Sequence, residues 1–401
     1  MRCRQTQRSA TDAAVAASYV PTVASPYTEP RNNPPTPHMQ KDNDILLLKG
    51  NEAIAHAAIR YGYDGFFGYP ITPQSEILET LALLKPWETT GMVVLQSESE
   101  VASINMIYAG GGSGKCVLTS SSSVGVSLMQ EVIPYMAICE VPGLIVSVQR
   151  GGPGLGTIQP SQSDYRQATC GGGNGDYRTI VLAPCSVQES CDMVGLAKEL
   201  MMKWRTPVII LSDGSIGQMM EKCTLPPYTP RRTDEEIRRQ CPWATNGLGL
   251  KGRKPNVMTS LELDQALMEK RNRELQKKYA RIQQEEVRAE HYHTEDAETL
   301  IVAFGSAARI SMGAIDNLRQ QGHKVGLLRP VTLWPFPEKE ILELASRMKR
   351  IVVVELNEGQ MLRDVQWASQ FRCPIEFIGH SGGVIITPDE ISRKISEMGK
   401  L

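Results

Sequence analysis

The pattern that most constrains this chain is an alternation of short runs, apolar along most of their length, with stretches of helical periodicity. From residue 45 onward, 65-GFFGYP-70, 92-MVVLQ-96, 116-CVLTSS-121, 143-GLIVSVQ-149 and 207-PVIILSD-213 read as strands. Around them, 50-GNEAIAHAAIRY-61 and residues 74–84, 98–111, 124–140 and 187–204 carry apolar residues at helical spacing, and Asn51 is a candidate N-cap of the first. A strand without a polar face must be covered on both sides, which is the condition of a parallel sheet flanked by helices. Residues 44–232 are therefore expected to form a doubly wound α/β domain.

The rhythm breaks after residue 213, with Pro226, Pro227, Pro230 and the charged run 231-RRTDEEIRRQ-240. Residues 260–293 then read as one long charged helix with a thin apolar stripe of Leu261, Leu263, Leu267, Leu275 and Tyr279, a solvated connector inside a linker of residues 233–296. A second, smaller α/β unit of residues 297–401 starts at 299-TLIVAFGS-306 and continues through strands at 324–331, 350–356 and 374–379 to a last helix from Pro388. Residues 1–43 are set apart: the first forty are rich in Ser, Thr, Ala and Pro, with Arg2, Arg4 and Arg8 against Asp12 and Glu29. They read as a disordered extension, a start upstream of Met39, or an organellar targeting segment.

With 43 basic and 44 acidic residues and no basic stripe interleaved with aromatics, the chain has no nucleic-acid signature. No apolar run is long enough to span a bilayer, so no membrane partner is expected. Nine scattered cysteines without a C-x-x-C pair argue for reduced thiols in a cytoplasmic setting, and against a metal or iron–sulfur site in this chain.

Ligands of parallel α/β sheets bind beyond the carboxyl ends of the strands, at helix starts. Four such ends here are polar: Tyr69-Pro70-Ile71-Thr72-Pro73, Gln96-Ser97-Glu98, 119-TSSSSVG-125, and Gln149-Arg150 ahead of 151-GGPGLGT-157. Singly, each has a structural explanation. Thr72-Pro73 can start a helix, Glu98 can complement a helix dipole, the serines can cap a turn, and Arg150 can lie on the surface. The serine run also lacks the G-x-x-x-x-G-K-[ST] phosphate-loop pattern. Jointly they define the rim of one site.

The combination of GNEAIAHAAI, YPITPQSEI, QSESEVASI, TSSSSVGVSLMQE, VQRGGPGLGTIQPSQSD and RPVTLWPFP resembles the alpha subunit of the 2-oxoacid:ferredoxin oxidoreductases, from about Asp44 to the C-terminus. Residues 151–168, 173–178 and 211–222 are most similar to the branched-chain (3-methyl-2-oxobutanoate) members. Departures from the family pattern are Val124, where a proline is expected, and Pro134 and Cys139 inside a helix. The resemblance implies that residues 44–232 are a thiamine diphosphate pyrimidine-binding domain and residues 297–401 a transketolase-C-terminal-like domain, the latter architectural.

It further implies oxidative decarboxylation of a 2-oxo acid, with electrons passed to ferredoxin and the acyl group to coenzyme A. The cofactor would be shared with a beta subunit that binds the diphosphate and Mg2+, and gamma and ferredoxin-like delta subunits would complete a complex whose partners carry the iron–sulfur clusters. By the same resemblance, Glu98 is the carboxylate for the pyrimidine ring, with Glu100 next in line; Arg150 receives the substrate carboxylate and Thr72 its oxygens. Tyr69, Pro70, Ile71, Ser121 and Ser122 line the cofactor. Two other readings remain: a 2-oxoglutarate or pyruvate enzyme, and a non-catalytic paralogue that serves as a scaffold.

Overall fold

The computed structural model describes residues 44–246 and 254–398, so the expectations for residues 1–43 fall outside the described part. The first domain comprises β1 (Ile45–Lys49), α1 (Gly50–Arg60), β2 (Gly65–Gly68), α2 (Ser75–Leu84), α3 (Pro86–Thr89), β3 (Val93–Gln96), α4 (Glu100–Gly112), β4 (Val117–Ser121), α5 (Ser123–Met129), α6 (Val132–Ile138), β5 (Gly143–Gln149), α7 (Tyr165–Cys170), β6 (Ile180–Leu182), α8 (Val187–Trp204) and β7 (Pro207–Asp213). The connection contains α9 (Gly214–Gln218), β8 (Met220–Thr224), α10 (Asp234–Gln240), α11 (Gln265–Glu285) and β9 (Ala289–Tyr292). The remainder is β10 (Thr299–Val302), α12 (Gly305–Gln320), β11 (Val325–Pro330), β12 (Thr332–Trp334), α13 (Glu338–Ala345), β13 (Arg350–Glu355), α14 (Leu362–Ser369), β14 (Ile375–Gly379) and α15 (Pro388–Met398).

The larger sheet has seven strands in the order β12-β6-β7-β5-β4-β2-β3, all parallel except β12. Its centre is dry: every residue of β4, β5 and β7 is buried. Leu144, Ile145, Val146 and Val148 are wholly inaccessible, and each such side chain contributes roughly 1.5–3 kcal/mol on burial. β3 ends the row, with Val93 and Leu95 half-exposed, so its apolar character is that of an edge strand and not of a covered one. The smaller sheet, β14-β13-β10-β11-β9, is parallel except for β9.

Several local expectations shift for identifiable reasons. The helix expected over 124–140 breaks between Met129 and Val132, and Pro134 falls in the first turn of α6, where backbone N–H groups have no intrahelical acceptor. Cys139 caps the end of that helix. The long helix is α11 alone, since residues 289–292 form β9 against β11; Leu275, Tyr279 and Ile282 pack inward while Leu261, Leu263 and Leu267 stay exposed. Asn51 is not the cap of α1. Lys49 holds that position, and Asn51 is buried with its amide donating to Pro73 O at 2.7 Å and Glu76 Oε2 at 3.0 Å.

The RPVTLWPFP segment fastens the two sheets together. β12 leaves the smaller sheet's side of the chain and adds antiparallel to β6, the edge of the larger one. Just before it, the fully buried Arg329 reaches Glu189 of α8 at 2.6 Å and Glu290 of β9 at 2.8 Å. A guanidinium removed from water needs this many partners.

Candidate active site

β3, β2, β4 and β5 are consecutive, parallel neighbours, so their carboxyl ends stand side by side. The four polar segments therefore form one rim. Its first wall is the turn after β2. Tyr69 is partly exposed and Thr72 exposed, while Pro70 and Ile71 are half-buried. Thr72-Pro73 is not the start of α2, which begins at Ser75 with Gln74 as its cap. The buried Gln74 and Asn51 and the exposed Gln218 hold the turn from behind. Gln74 Nε2 donates to Tyr69 O at 2.9 Å and its Oε1 accepts from Ser120 Oγ at 2.6 Å. Asn51 and Gln218 both donate to Pro73 O.

The two candidate carboxylates part company at the end of β3. Ser99 is a competent N-cap: its Oγ accepts from Ala102 N at 3.3 Å, so α4 starts at Glu100 and not at residue 98. Glu98 is left outside the helix, exposed, accepting from Ser99 Oγ at 2.9 Å. Glu100, two residues on, is turned inward and 5% exposed, with Ser121 Oγ 3.4 Å from Oε1. The buried carboxylate of the rim is thus Glu100, and the cap competition accounts for the shift from Glu98.

Opposite Glu100 stands the serine run. Ser121 and Ser122 are wholly buried, and Ser122 Oγ has no protein partner. Gly125 permits this close packing, because a Cβ there would lie 2.1 Å from Ser121 Oγ and 2.3 Å from Glu100 Oε1. Buried hydroxyls without partners are costly unless something else satisfies them.

Arg150 closes the rim at the end of β5. Its side chain is buried, with one terminal nitrogen donating to Thr72 O at 3.0 Å, while Nε has no partner. No ion pair of Arg150 is found among the described residues. Nearby Asp164 is half-buried, and desolvation pushes its carboxyl above the usual range against the opposing pull of Ser123 and Arg150. Asp164 and Gln74 were not singled out by sequence, and Asn51 was read there only as a cap; each is an ordinary polar residue whose role depends on what folding brings against it.

The smaller domain closes over the segment that follows the glycine-rich loop. Gln162 exchanges hydrogen bonds with Phe304 O, Leu356 N and Leu356 O, and Asn357 Nδ2 donates to Gln162 O. Thus the carboxyl ends of both sheets meet at residues 159–165. The concave space beside α6 and α11, about 400 Å³ and lined by Cys139, Glu140, Arg205, Trp243 and Arg271, shares no residue with the rim. Among the described residues no three His, Cys, Asp or Glu side chains gather as a metal site, and no helix is long and apolar enough to cross a membrane.

Residues 56–290 match the protein family described as pyruvate flavodoxin/ferredoxin oxidoreductase, thiamine diphosphate-binding, and residues 297–391 match pyruvate:ferredoxin oxidoreductase core domain II. The ketoisovalerate oxidoreductase subunit VorB of Methanothermobacter marburgensis is 46% identical over 352 residues, covering 88% of this chain and 97% of the relative. The 2-oxoglutarate synthase subunit KorA of the same organism is 36% identical over 378 residues, covering 88% and 98%. Among solved structures, the 2-oxoglutarate:ferredoxin oxidoreductase from Magnetococcus marinus, with 2-oxoglutarate, coenzyme A and succinyl-CoA bound, matches with a TM-score of 0.74 at 26% identity. That match covers 88% of this chain and 65% of the other.

Proposed function

From the premise that this chain belongs to the 2-oxoacid:ferredoxin oxidoreductase family, we propose that it is the alpha subunit of a branched-chain member. The reaction is the thiamine- and coenzyme A-dependent oxidative decarboxylation of 3-methyl-2-oxobutanoate to isobutanoyl-CoA and CO2, with ferredoxin as electron acceptor. The observation that carries the catalytic assignment is the buried Glu100 facing Ser121 and Gly125, on the same rim as an Arg150 that makes no ion pair within the described chain. The acyl preference rests on the relatives, since identity is 46% to the ketoisovalerate subunit and 36% to the 2-oxoglutarate subunit.

The donor set suits the pyrimidine end of thiamine diphosphate. A carboxylate for a ring nitrogen is present in Glu100, which Gly125 lets pack close against α5, and a buried hydroxyl without a partner in Ser122. Tyr69, Pro70 and Ile71 would form the neighbouring wall, with Ser121 beside the carboxylate. When bound, thiamine diphosphate supplies the electron sink that lets a 2-oxo acid lose carbon dioxide. The diphosphate and its Mg2+ belong to a beta chain in this reading, and the iron–sulfur clusters to gamma and delta partners in the low-oxygen cytosol.

Within this chain the work divides by position. Glu100, buried at the start of α4, holds a proton at the pyrimidine ring nitrogen, and the low-dielectric surroundings strengthen that hydrogen bond. Glu98 stays in water and takes no part. Arg150 offers its fork to the substrate carboxylate, a geometry guanidinium matches bidentately. The Arg150 bond to Thr72 O ties that fork to the turn after β2. Thr72, exposed at the rim, would offer its hydroxyl to the substrate's oxygens.

The test is anaerobic co-production with the partner chains, followed by coenzyme A-dependent viologen reduction with 3-methyl-2-oxobutanoate, 2-oxoglutarate and pyruvate side by side. Preference for the branched acid supports the reading. Preference for another acid overturns the substrate, and no turnover in a cofactor-loaded complex points to the scaffold alternative.

A further inference from the structure

We infer that Asp164, acting through Ser123, is a positioning residue that sets Arg150 for the substrate's carboxylate. This rests on the carboxylate-binding role of Arg150 given above. Arg150 is the first residue past β5, and its own backbone N–H donates to Ser123 Oγ at 3.1 Å. The Ser123 hydroxyl has one hydrogen to give and two acceptors in reach, Asp164 Oδ2 and Arg150 O, the latter at 3.3 Å. The carboxylate is the stronger and closer acceptor, so the chain of bonds runs from Arg150 N–H to Ser123 Oγ–H to Asp164.

The other side of Asp164 is tied to the same strand. Its backbone N–H donates to Gln149 Oε1 at 3.0 Å, and Gln149 Nε2 donates to Ser212 O at 3.2 Å. An isolated bridge between Arg150 and Pro160 anchors the start of the segment. Asp164 thereby grips the last residue of β5 and the residue that follows it from two directions.

What Asp164 leaves undone is as informative. It lies close enough for Arg150 to act on its titration, yet it makes no ion pair with the guanidinium. A direct salt bridge would occupy the fork that a 2-oxo acid has to reach. With Ser123 in between, the aspartate fixes the main chain under Arg150 while the side chain keeps its Nε unpartnered and one terminal nitrogen on Thr72 O. Gln162, two residues earlier on the same segment, is bonded to the smaller domain, so the position of Arg150 is also linked to how that domain seats.

The experiment uses the assembled, cofactor-loaded complex and measures KM for the 2-oxo acid and kcat separately. Asp164→Ala and Ser123→Ala are each expected to raise KM about tenfold, with kcat within about threefold, the effect of losing one charge-assisted hydrogen bond that orients binding. The double variant is expected to be no worse than either single one, because both break the same link. Asp164→Asn keeps an acceptor for Ser123 in the same shape, and KM should rise only about threefold. Should Asp164→Ala not fold, the comparison of Asp164→Asn with Ser123→Ala carries the test. A wild-type KM in Ser123→Ala, or losses that multiply in the double variant, overturns the inference. An unchanged KM in Arg150→Ala overturns the reading beneath it, whereas a raised KM there with a wild-type KM in Asp164→Ala overturns the relay alone.

Discussion

Gly125→Ala is the most discriminating small perturbation at the rim. The added methyl would stand 2.3 Å from Glu100 Oε1 and 2.1 Å from Ser121 Oγ. An ordinary carbon–oxygen contact needs about 3.3 Å, so either the carboxylate or α5 must retreat by about an ångström. Displacement on that scale costs a catalytic group about 100-fold in rate when its alignment matters. The accompanying overpacking should lower stability by about 1–3 kcal/mol, since both neighbours are buried and cannot swing into water. The assay is viologen reduction by the assembled complex, with urea unfolding of the same preparation to measure the stability loss. The expected result is a fall in kcat/KM of about two decades in a complex that still assembles. Wild-type turnover in a folded Gly125→Ala complex would refute the placing of chemistry between Glu100 and the serine run.

Two further outcomes follow from buried charges. Glu355 is enclosed at the end of β13, and burial raises its carboxyl from 4.5 to about 6 despite hydrogen bonds from Met361 N, Leu362 N and Asn357. Between these values the native state holds a proton that the unfolded chain releases, so the contribution of Glu355 to stability is full below pH 4.5 and is lost as pH rises through 6. The total is about 2 kcal/mol, measurable as the difference in urea-midpoint slope between wild type and Glu355→Gln; a wild-type slope in that variant contradicts the assignment. Arg329→Ala removes the buried partner of Glu189 and Glu290, which stay 25% and 53% exposed, and should cost about 1.5–3 kcal/mol by chemical denaturation. A loss under 1 kcal/mol would show that the junction does not depend on this ion cluster.

How far the sequence could be read depends on whether the determining interactions are local. The strands 143–149 and 207–213 were legible residue for residue, because a fully covered strand must be apolar and its ends are set by the adjoining turns. β12 was not, because three residues carry no periodic signal and their pairing with β6 is made across some 150 residues. The same holds for β9, which a helical pattern of charges concealed. At the site, the four strand ends and their shared rim could be anticipated from the rule that parallel strands deliver ligands to their carboxyl ends. The choice between Glu98 and Glu100 could not, although its cause is only one residue away: Ser99 caps the helix and decides which glutamate enters it. Asn51 looked like a cap by type and position, yet tertiary packing uses its amide to hold the turn at Pro73. Asp164 became visible only once folding had set Ser123 between it and Arg150.

The central claim is that Glu100 is the carboxylate that serves the pyrimidine ring. It is tested most directly by comparing Glu100→Gln with Glu98→Gln in the assembled, anaerobic complex, following coenzyme A-dependent viologen reduction with 3-methyl-2-oxobutanoate. The account predicts a loss in kcat of about 10²–10⁴ for Glu100→Gln, the range for removing a positioned proton-transfer group, and near wild-type turnover for Glu98→Gln. The reverse pattern, with Glu98→Gln inactive and Glu100→Gln active, would contradict it.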